Sequence, residues 1–372
     1  MFKQYVDNEQ FNLQINRFIN DEFADNPIVQ EDLKEIIPQL KDTESWYAAW
    51  HNKAKEREEE QQWLIASTYY QAAEFYLQTN DPRNQIVYEK YRETFYKGYT
   101  DFEYESYEVP YENSFLPVVK LITPGAKKDL LFFAGFDSYM EEMVKIAHFL
   151  KGIDYNIYIF DGPGQGTALR NGLTLVHSWE KPVSAILDYF NIKKASAIGV
   201  SLGGYLVMRA AAFEKRLDKV VAFDIFYSFM DSLRIRMPYD QMTKIEQLLD
   251  SNQSEIINHQ FTSMMAKSLD LNWKINKGFE NTGTKTPFEL LKAFQKYNMG
   301  SIMPLINQDV LLLAGENDQY VPSSRLPEIA NGLVNASSVK SVLFDKDSGG
   351  DQHCQAGRRE LGFNEIKEFL NN

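Results

Sequence analysis

Residues 199–203 of this 372-residue chain read Gly199-Val200-Ser201-Leu202-Gly203, a serine framed by glycines in the pattern G-x-S-x-G. A serine hydroxyl with a base beside it can attack a carbonyl carbon, so the chemistry in view is acyl transfer through a covalent intermediate. A chain of this length matches the pattern by accident about one time in ten at ordinary Gly and Ser frequencies. The flanks therefore decide. ASAIGV before the serine reads as a strand and YLVMRAAAF after it as a helix, the strand–turn–helix context that exposes a nucleophile on a sharp bend. Small neighbours are needed there because a Cβ would clash in so tight a turn. The bend also sets the hydroxyl at a helix N-terminus, where the dipole favours developing negative charge.

A serine at neutral pH needs a base, and on such a turn the chain order is Ser, then Asp or Glu, then His. The five histidines are His51, His148, His177, His259 and His353. The last two alone follow Ser201, and His259 precedes any strand that could carry an acid. His353 sits in the Gly-rich loop SGGDQHCQAG after the run SVKSVLFD, where the base is expected. Between serine and histidine, LLLAGENDQYVP places Asp318 in the turn after a strand, positioned to hold the imidazole in one tautomer. Glu316 in the same loop competes for that role, and Asp224 at the end of the preceding strand is a further candidate. The structural alternative for Asp318 is a helix N-cap or turn former. The oxyanion donors are expected to be the backbone N–H of Leu202 and one from Ala134-Gly135-Phe136-Asp137-Ser138. Phe136 is nominated to within one residue, its side chain lining the acyl pocket.

Other chemistries find less support. Asp161-Gly162-Pro163-Gly164-Gln165-Gly166 lacks both the Gly-Lys-Ser/Thr ending and the G-x-G-x-x-G spacing, so nucleotide fingerprints fail. It reads as a tight strand-to-helix turn beside the site. No His pair or His/Asp cluster shows metal-ligand spacing, so neither metal nor cofactor is expected. The net charge of −13 repels phosphate backbones and anionic membranes, so neither a nucleic acid nor a membrane is an expected partner. One cysteine, Cys354, excludes an intramolecular disulfide. No run approaches the roughly 18–20 apolar residues of a membrane span. The opening MFKQYVDNEQFN lacks a basic segment followed by an apolar run, so a cytoplasmic protein is expected.

The elements that must position these residues begin after a helical first segment. Trp46, Ala49, Trp50 and Ala54, then Trp63, Ala66, Tyr70, Ala73 and Leu77, recur at helical spacing around the charged run EREEE, which reads as a solvated face. Asp81-Pro82 breaks the pattern before another helix carrying Tyr88, Tyr91 and Phe95. From about residue 103 the texture becomes alternating strand and helix, an α/β pattern with a mostly parallel sheet. Strands are expected at FLPVVKLIT, DLLFFAG, YNIYIFDG, ASAIGVS, KVVAFDIF, DVLLLAG and SVKSVLFD. Several are nearly continuous apolar runs, as in strands covered on both faces. Residues 230–305 show helical periodicity without a strand and are expected to form a lid over the C-terminal strand ends. The division is thus 1–102 as a helical domain, 103–229 and 306–372 as the α/β core, and 230–305 as the insertion.

Together FAGFDSYMEE, FDGPGQG, GVSLGGY, GENDQYVP and GGDQHCQAG resemble, in order, the α/β-hydrolases that include 2,6-dihydroxypseudooxynicotine hydrolase. The fungal hydrolases that shorten polyketide chains and the fermentation-respiration switch esterase group are similar. The resemblance spans nearly the whole chain, the N-terminal tryptophan pattern included. It implies an α/β-hydrolase fold with nucleophile Ser201, acid Asp318 and base His353, and helices of the first segment helping to cover the site. Some members hydrolyse esters, whereas others cleave a carbon–carbon bond beside a ketone and use an acidic residue beyond the strand after the nucleophile. Asp224 or Asp231 could fill that place, and Tyr205 is a further candidate substrate contact. The expectation is an esterase-like serine hydrolase for a small, hydrophobic substrate, with carbon–carbon hydrolysis as the alternative and a homodimer as a possible assembly. A serine aminopeptidase and a non-catalytic ligand-binding protein are the rivals. Glu141-Glu142 is better explained by the helix after the oxyanion loop than as an amine-binding pair.

Overall fold

The computed structural model describes residues 2–372, which divide into two compact units. The first comprises residues up to 102 together with 356–360. Its main helices run Glu9–Ile15, Pro27–Ile36, Thr43–Glu59, Trp63–Glu74 and Pro82–Gly98. Trp46, Trp50, Ala66, Tyr69, Tyr70 and Ala73 are buried between them, and Trp46 Nε1 donates to Ala72 O at 2.6 Å. Asp81 caps the last helix by accepting from Arg83 N. The run EREEE is more than a solvated face. Arg57 reaches buried Asp32 at 3.0 Å, and Glu58 accepts from Tyr70 and Lys90.

The second unit, residues 103–355 and 361–372, holds an eight-stranded sheet. Its strands are β1 (Glu103–Tyr111), β2 (Ser114–Ile122), β3 (Lys128–Phe133), β4 (Tyr155–Phe160), β5 (Ala195–Val200), β6 (Leu217–Phe223), β7 (Asp309–Gly315) and β8 (Ser338–Phe344). They lie in the order β1-β2-β4-β3-β5-β6-β7-β8. β1 and β2 are antiparallel to each other and β2 to β4, and every later pairing is parallel. The apolar runs of β3, β5, β6 and β7 are buried on both faces, beneath helices such as Gly203–Phe213.

β1 is the strand that periodicity misses. Its sequence, EYESYEVPY, spreads three glutamates and a proline over an edge that is largely exposed until Val109. An edge strand pairs on one side only and needs little apolar surface, and charge and proline there guard against pairing with other chains. Between β6 and β7 the chain forms the helices Asp231–Arg234, Tyr239–Asp250, Ser254–Met265, Leu269–Thr282 and Pro287–Phe294. Leu290 and Leu291 of the last are fully buried, and an isolated bridge joins Ser228 to Asn298.

Register aligns the ends that matter. Phe133 pairs with Gly199, Val200 with Phe223, Phe223 with Leu313, and Gly315 with Phe344. The C-terminal ends of β3, β5, β6, β7 and β8 therefore share one edge of the sheet, and the loops leaving them converge there. Such an edge is where open α/β sheets bind ligands.

Candidate active site

Ser201 follows β5 with φ +61°, left-handed backbone that a residue with a Cβ adopts only under strain. Its N–H donates to Phe223 O at 2.6 Å, and Gly204 N donates to Ser201 O at 2.8 Å, pinning the bend from both sides. A Cβ at Gly199 would lie 2.0 Å from Gly203 O, so the turn closes only with glycine there. The side chain of Ser201 is consequently held at the N-terminal end of the helix Gly203–Phe213.

His353, from the loop after β8, brings Nε2 to 2.9 Å from Ser201 Oγ and Nδ1 to 2.6 Å from Asp318 Oδ2. The three residues named from chain order thus meet in one hydrogen-bonded line. Asp318 also forms its own turn, Oδ1 accepting from Tyr320 N at 2.6 Å and Val321 N at 2.8 Å. Glu316 lies exposed, its backbone N–H bonded to Phe344 O, and His259 is exposed on the helix Ser254–Met265. The loops carrying acid and histidine are stitched together. Asn317 N donates to Asp351 O at 2.8 Å, and His353 N donates to Gln319 Oε1 at 3.2 Å. Tyr320 sets its ring edge-on to the imidazole at 4.9 Å.

Burial by itself would disfavour the imidazolium of His353, but the Asp318 carboxylate outweighs it and holds the pKa well above the usual 6.5. Burial likewise opposes ionisation of Asp318, yet His353, Asp224 and the Tyr320 N–H together hold its carboxyl below the usual range. The Cys354 thiol is pushed up by burial and stays neutral at ordinary pH, so it is Asp318 that sustains the imidazolium.

After β3, Gly135 lies against the serine turn, its Cβ position 2.8 Å from both Leu202 N and Val200 O. Neither Leu202 N–H nor Phe136 N–H donates to another group among the described residues. Sequence reasoning missed what holds this loop. Gln165 Nε2 donates to Ala134 O and to Gly135 O, both at 2.8 Å, while its Oε1 accepts from Gly162 N at 2.9 Å. A trans peptide points its C=O and N–H oppositely, so fixing Gly135 O turns the Phe136 N–H away from Gln165. Asp161 anchors the same turn, accepting from Met140 N at 2.8 Å and Thr167 N at 3.0 Å. The DGPGQG segment is therefore a brace for the loop after β3. The half-buried Phe136 ring packs edge-on against Phe229 at 5.2 Å, and Phe229 stacks on Phe294 at 3.6 Å.

The nominated substrate contacts are engaged with other groups of the protein. Asp224 is wholly buried and accepts from Ile225 N at 2.8 Å and Cys354 N at 3.2 Å. Asp231 is buried and gripped by Arg325, whose Nε and terminal nitrogen each lie 2.8 Å from its carboxylate, and by Arg234 at 2.6 Å. A carboxylate so engaged is spent on structure, because releasing it would strand buried charge. Tyr205 is buried too, its hydroxyl donating to Lys296 O at 3.3 Å. In each case the sequence position was open to substrate while tertiary neighbours had already claimed the polar atoms. Among the described residues, Asp224, His353 and Cys354 bring atoms able to ligate a metal within 4.8 Å of one another. Both imidazole nitrogens are already committed to Ser201 and Asp318. No helix among the described residues is long and apolar enough to cross a membrane.

Comparison with known proteins fits this architecture. The family model described as alpha/beta hydrolase fold matches residues 130–349, and the chain belongs to that family. It is 28% identical over 345 residues to a 20-hydroxy-prefusarin hydrolase of Gibberella moniliformis, covering 82% of this chain and 81% of that one. A hydrolase of Aspergillus aculeatus, acrC, is 27% identical over 363 residues, covering 83% of each. Among solved structures, the 2,6-dihydroxy-pseudo-oxynicotine hydrolase superimposes with a TM-score of 0.66 at 20% identity, over 87% of this chain and 88% of the other. That likeness is one of fold.

Proposed function

We propose that the protein is a serine hydrolase that cleaves a carboxylic ester or similar acyl bond of a small, hydrophobic substrate. The observation that carries the reading is the unbroken line from Ser201 Oγ through both nitrogens of His353 to Asp318. Ser201 Oγ attacks the carbonyl carbon as its proton passes to His353 Nε2. The imidazolium, steadied by Asp318, returns that proton to the leaving alkoxide, and an acyl-enzyme remains. Water then gives its proton to the neutral imidazole and attacks the acyl carbon, and Ser201 recovers its hydroxyl. The N–H groups of Leu202 and Phe136 stabilise the oxyanion in both halves. No cofactor enters these steps.

Two further observations support the choice of substrate. The aromatic stack of Phe136, Phe229 and Phe294 adjoins the oxyanion loop and suits an apolar acyl group. The carbon–carbon alternative called for an acidic residue at substrate from Asp224 or Asp231, and both carboxylates are buried in other partnerships. The two bond types are tested side by side. A panel of p-nitrophenyl esters and aryl-1,3-diketones is assayed with wild type and Ser201→Ala. Ester turnover that vanishes in the variant, with diketones untouched, is expected. Diketone cleavage without ester turnover would reverse the choice of bond.

A further inference from the structure

The back of His353 meets two carboxyl groups. Asp318 Oδ2 lies 2.6 Å from Nδ1 and Asp224 Oδ2 lies 3.7 Å from the same atom. They arrive from neighbouring parallel strands, Asp224 at the end of β6 and Asp318 in the turn after β7. Asp224 is fully buried and Asp318 is 6% exposed, so both carboxyls face the same imidazole nitrogen away from water. Two buried carboxylates beside one imidazole nitrogen disfavour each other's ionisation, so one of the pair holds a proton. The environment decides where. Asp318 accepts from two backbone N–H groups as well as the imidazole, which suits a charge. Asp224 accepts from two backbone N–H groups and has His353, 3.7 Å away, as its nearest cation. The proton belongs on Asp224, which then faces Asp318 as a neutral acid.

We propose that Asp224 is a positioning residue of the relay, bracing Asp318 as a neutral acid and becoming the carboxylate that orients His353 when Asp318 is removed. The relay thus runs through four residues, Ser201–His353–Asp318–Asp224, with its second acid held in reserve. Burial, reinforced by the neighbouring Asp318 charge, pushes the Asp224 carboxyl well above the ordinary range, in agreement with the geometry. This inference rests on the serine-hydrolase reading.

The test compares steady-state kcat, KM and pH profiles for Asp318→Asn, Asp224→Asn and the double variant, with Ser201→Ala as control. Losing every orienting carboxylate from a serine relay costs about 10⁴-fold in kcat, and the double variant should show that loss. Asp318→Asn alone should retain at least ~10-fold more kcat than the double variant, with KM within about threefold, because Asp224 then ionises beside the imidazole. Asp224→Asn should lower kcat several-fold while moving the acid limb of kcat/KM by less than about 0.3 pH unit, since it removes a neutral group. A purely structural Asp224 would leave Asp318→Asn as inactive as the double variant, and that result overturns the proposal. Should variants at Asp224 fail to fold, Asp318→Asn alone decides: a loss of at most about 10³-fold supports the reserve carboxylate, and a loss near 10⁴-fold excludes it. Turnover surviving in Ser201→Ala would instead refute the underlying serine reading.

Discussion

Replacing Gly135 by alanine probes the oxyanion loop while every residue of the relay keeps its identity. The new Cβ would stand 2.8 Å from Leu202 N, 2.8 Å from Val200 O and 3.0 Å from the Ser201 Cβ. Carbon seldom approaches such atoms closer than about 3.5 Å, so the loop and the serine turn must separate by roughly 0.7 Å. Those neighbours are backbone, itself held by the bonds from Ser201 N to Phe223 O and from Gln165 to the Gly135 carbonyl, so relief cannot come from a rotamer change. Overpacking of this kind costs about 1–3 kcal/mol of stability. Its effect on catalysis should be larger. The shift moves both proposed donors, Leu202 N–H and Phe136 N–H, relative to the oxyanion, and losing one such donor costs about 10²–10³-fold in kcat. Gly135→Ala should therefore fold, bind substrate with little change in KM and lose at least ~100-fold in kcat. Ester hydrolysis kinetics paired with a thermal melt separate the two effects. A folded variant within about threefold of wild-type kcat would show that this loop does not supply the oxyanion site.

Gln165→Leu removes both clamps on the loop carbonyls, and kcat should fall by about 10–100-fold with a stability loss of roughly 1–3 kcal/mol; melting that drops while kcat stays constant would deny Gln165 its bracing role. Catalysis needs neutral His353, whose pKa is raised by Asp318, so kcat/KM should climb with pH through an apparent pKa above 6.5; an acid limb centred below pH 6 contradicts the pairing. The stability from that pair follows the same sign. It is fully present below the unfolded-state pKa of about 6.5 and declines as pH rises through the folded value, so urea midpoints should fall across that window. Asp231→Asn breaks a buried pair with Arg325 and Arg234 and should cost about 3 kcal/mol, lowering the melting temperature with kcat/KM little changed. A large fall in kcat/KM without a change in melting would return Asp231 to the substrate.

How much of this was legible in the sequence depends on the range of the interaction. Ser201, Asp318 and His353 can be named because strand–turn–helix context and chain order are local or ordinal properties, and the structure brings the three within hydrogen-bond reach. The buried strands are legible because apolar runs covered on both faces admit few other readings. β1 is not, because its exposed glutamates obey the rules of an edge. Gln165 lies in a segment already singled out, but its task depends on carbonyls 30 and 31 positions away in sequence that only folding brings near. Asp224 shows the opposite limit. Its place at a strand end marks it as a candidate acid, yet adjacency to Asp318 arises from strand order, which no local pattern encodes. Asp231 and Tyr205 carry suitable groups at plausible positions, and distant partners, Arg325 and the Lys296 carbonyl, consume them.

Every proposed step depends on a nucleophilic hydroxyl at the bend after β5, and covalent capture reads that directly. Wild-type protein is treated with a fluorophosphonate and examined by intact mass and peptide mapping. One adduct is predicted, on the peptide containing Ser201, absent from Ser201→Ala and much slower to form in His353→Ala. Equal labelling of Ser201→Ala, or an unlabelled wild type that still hydrolyses esters, would contradict it.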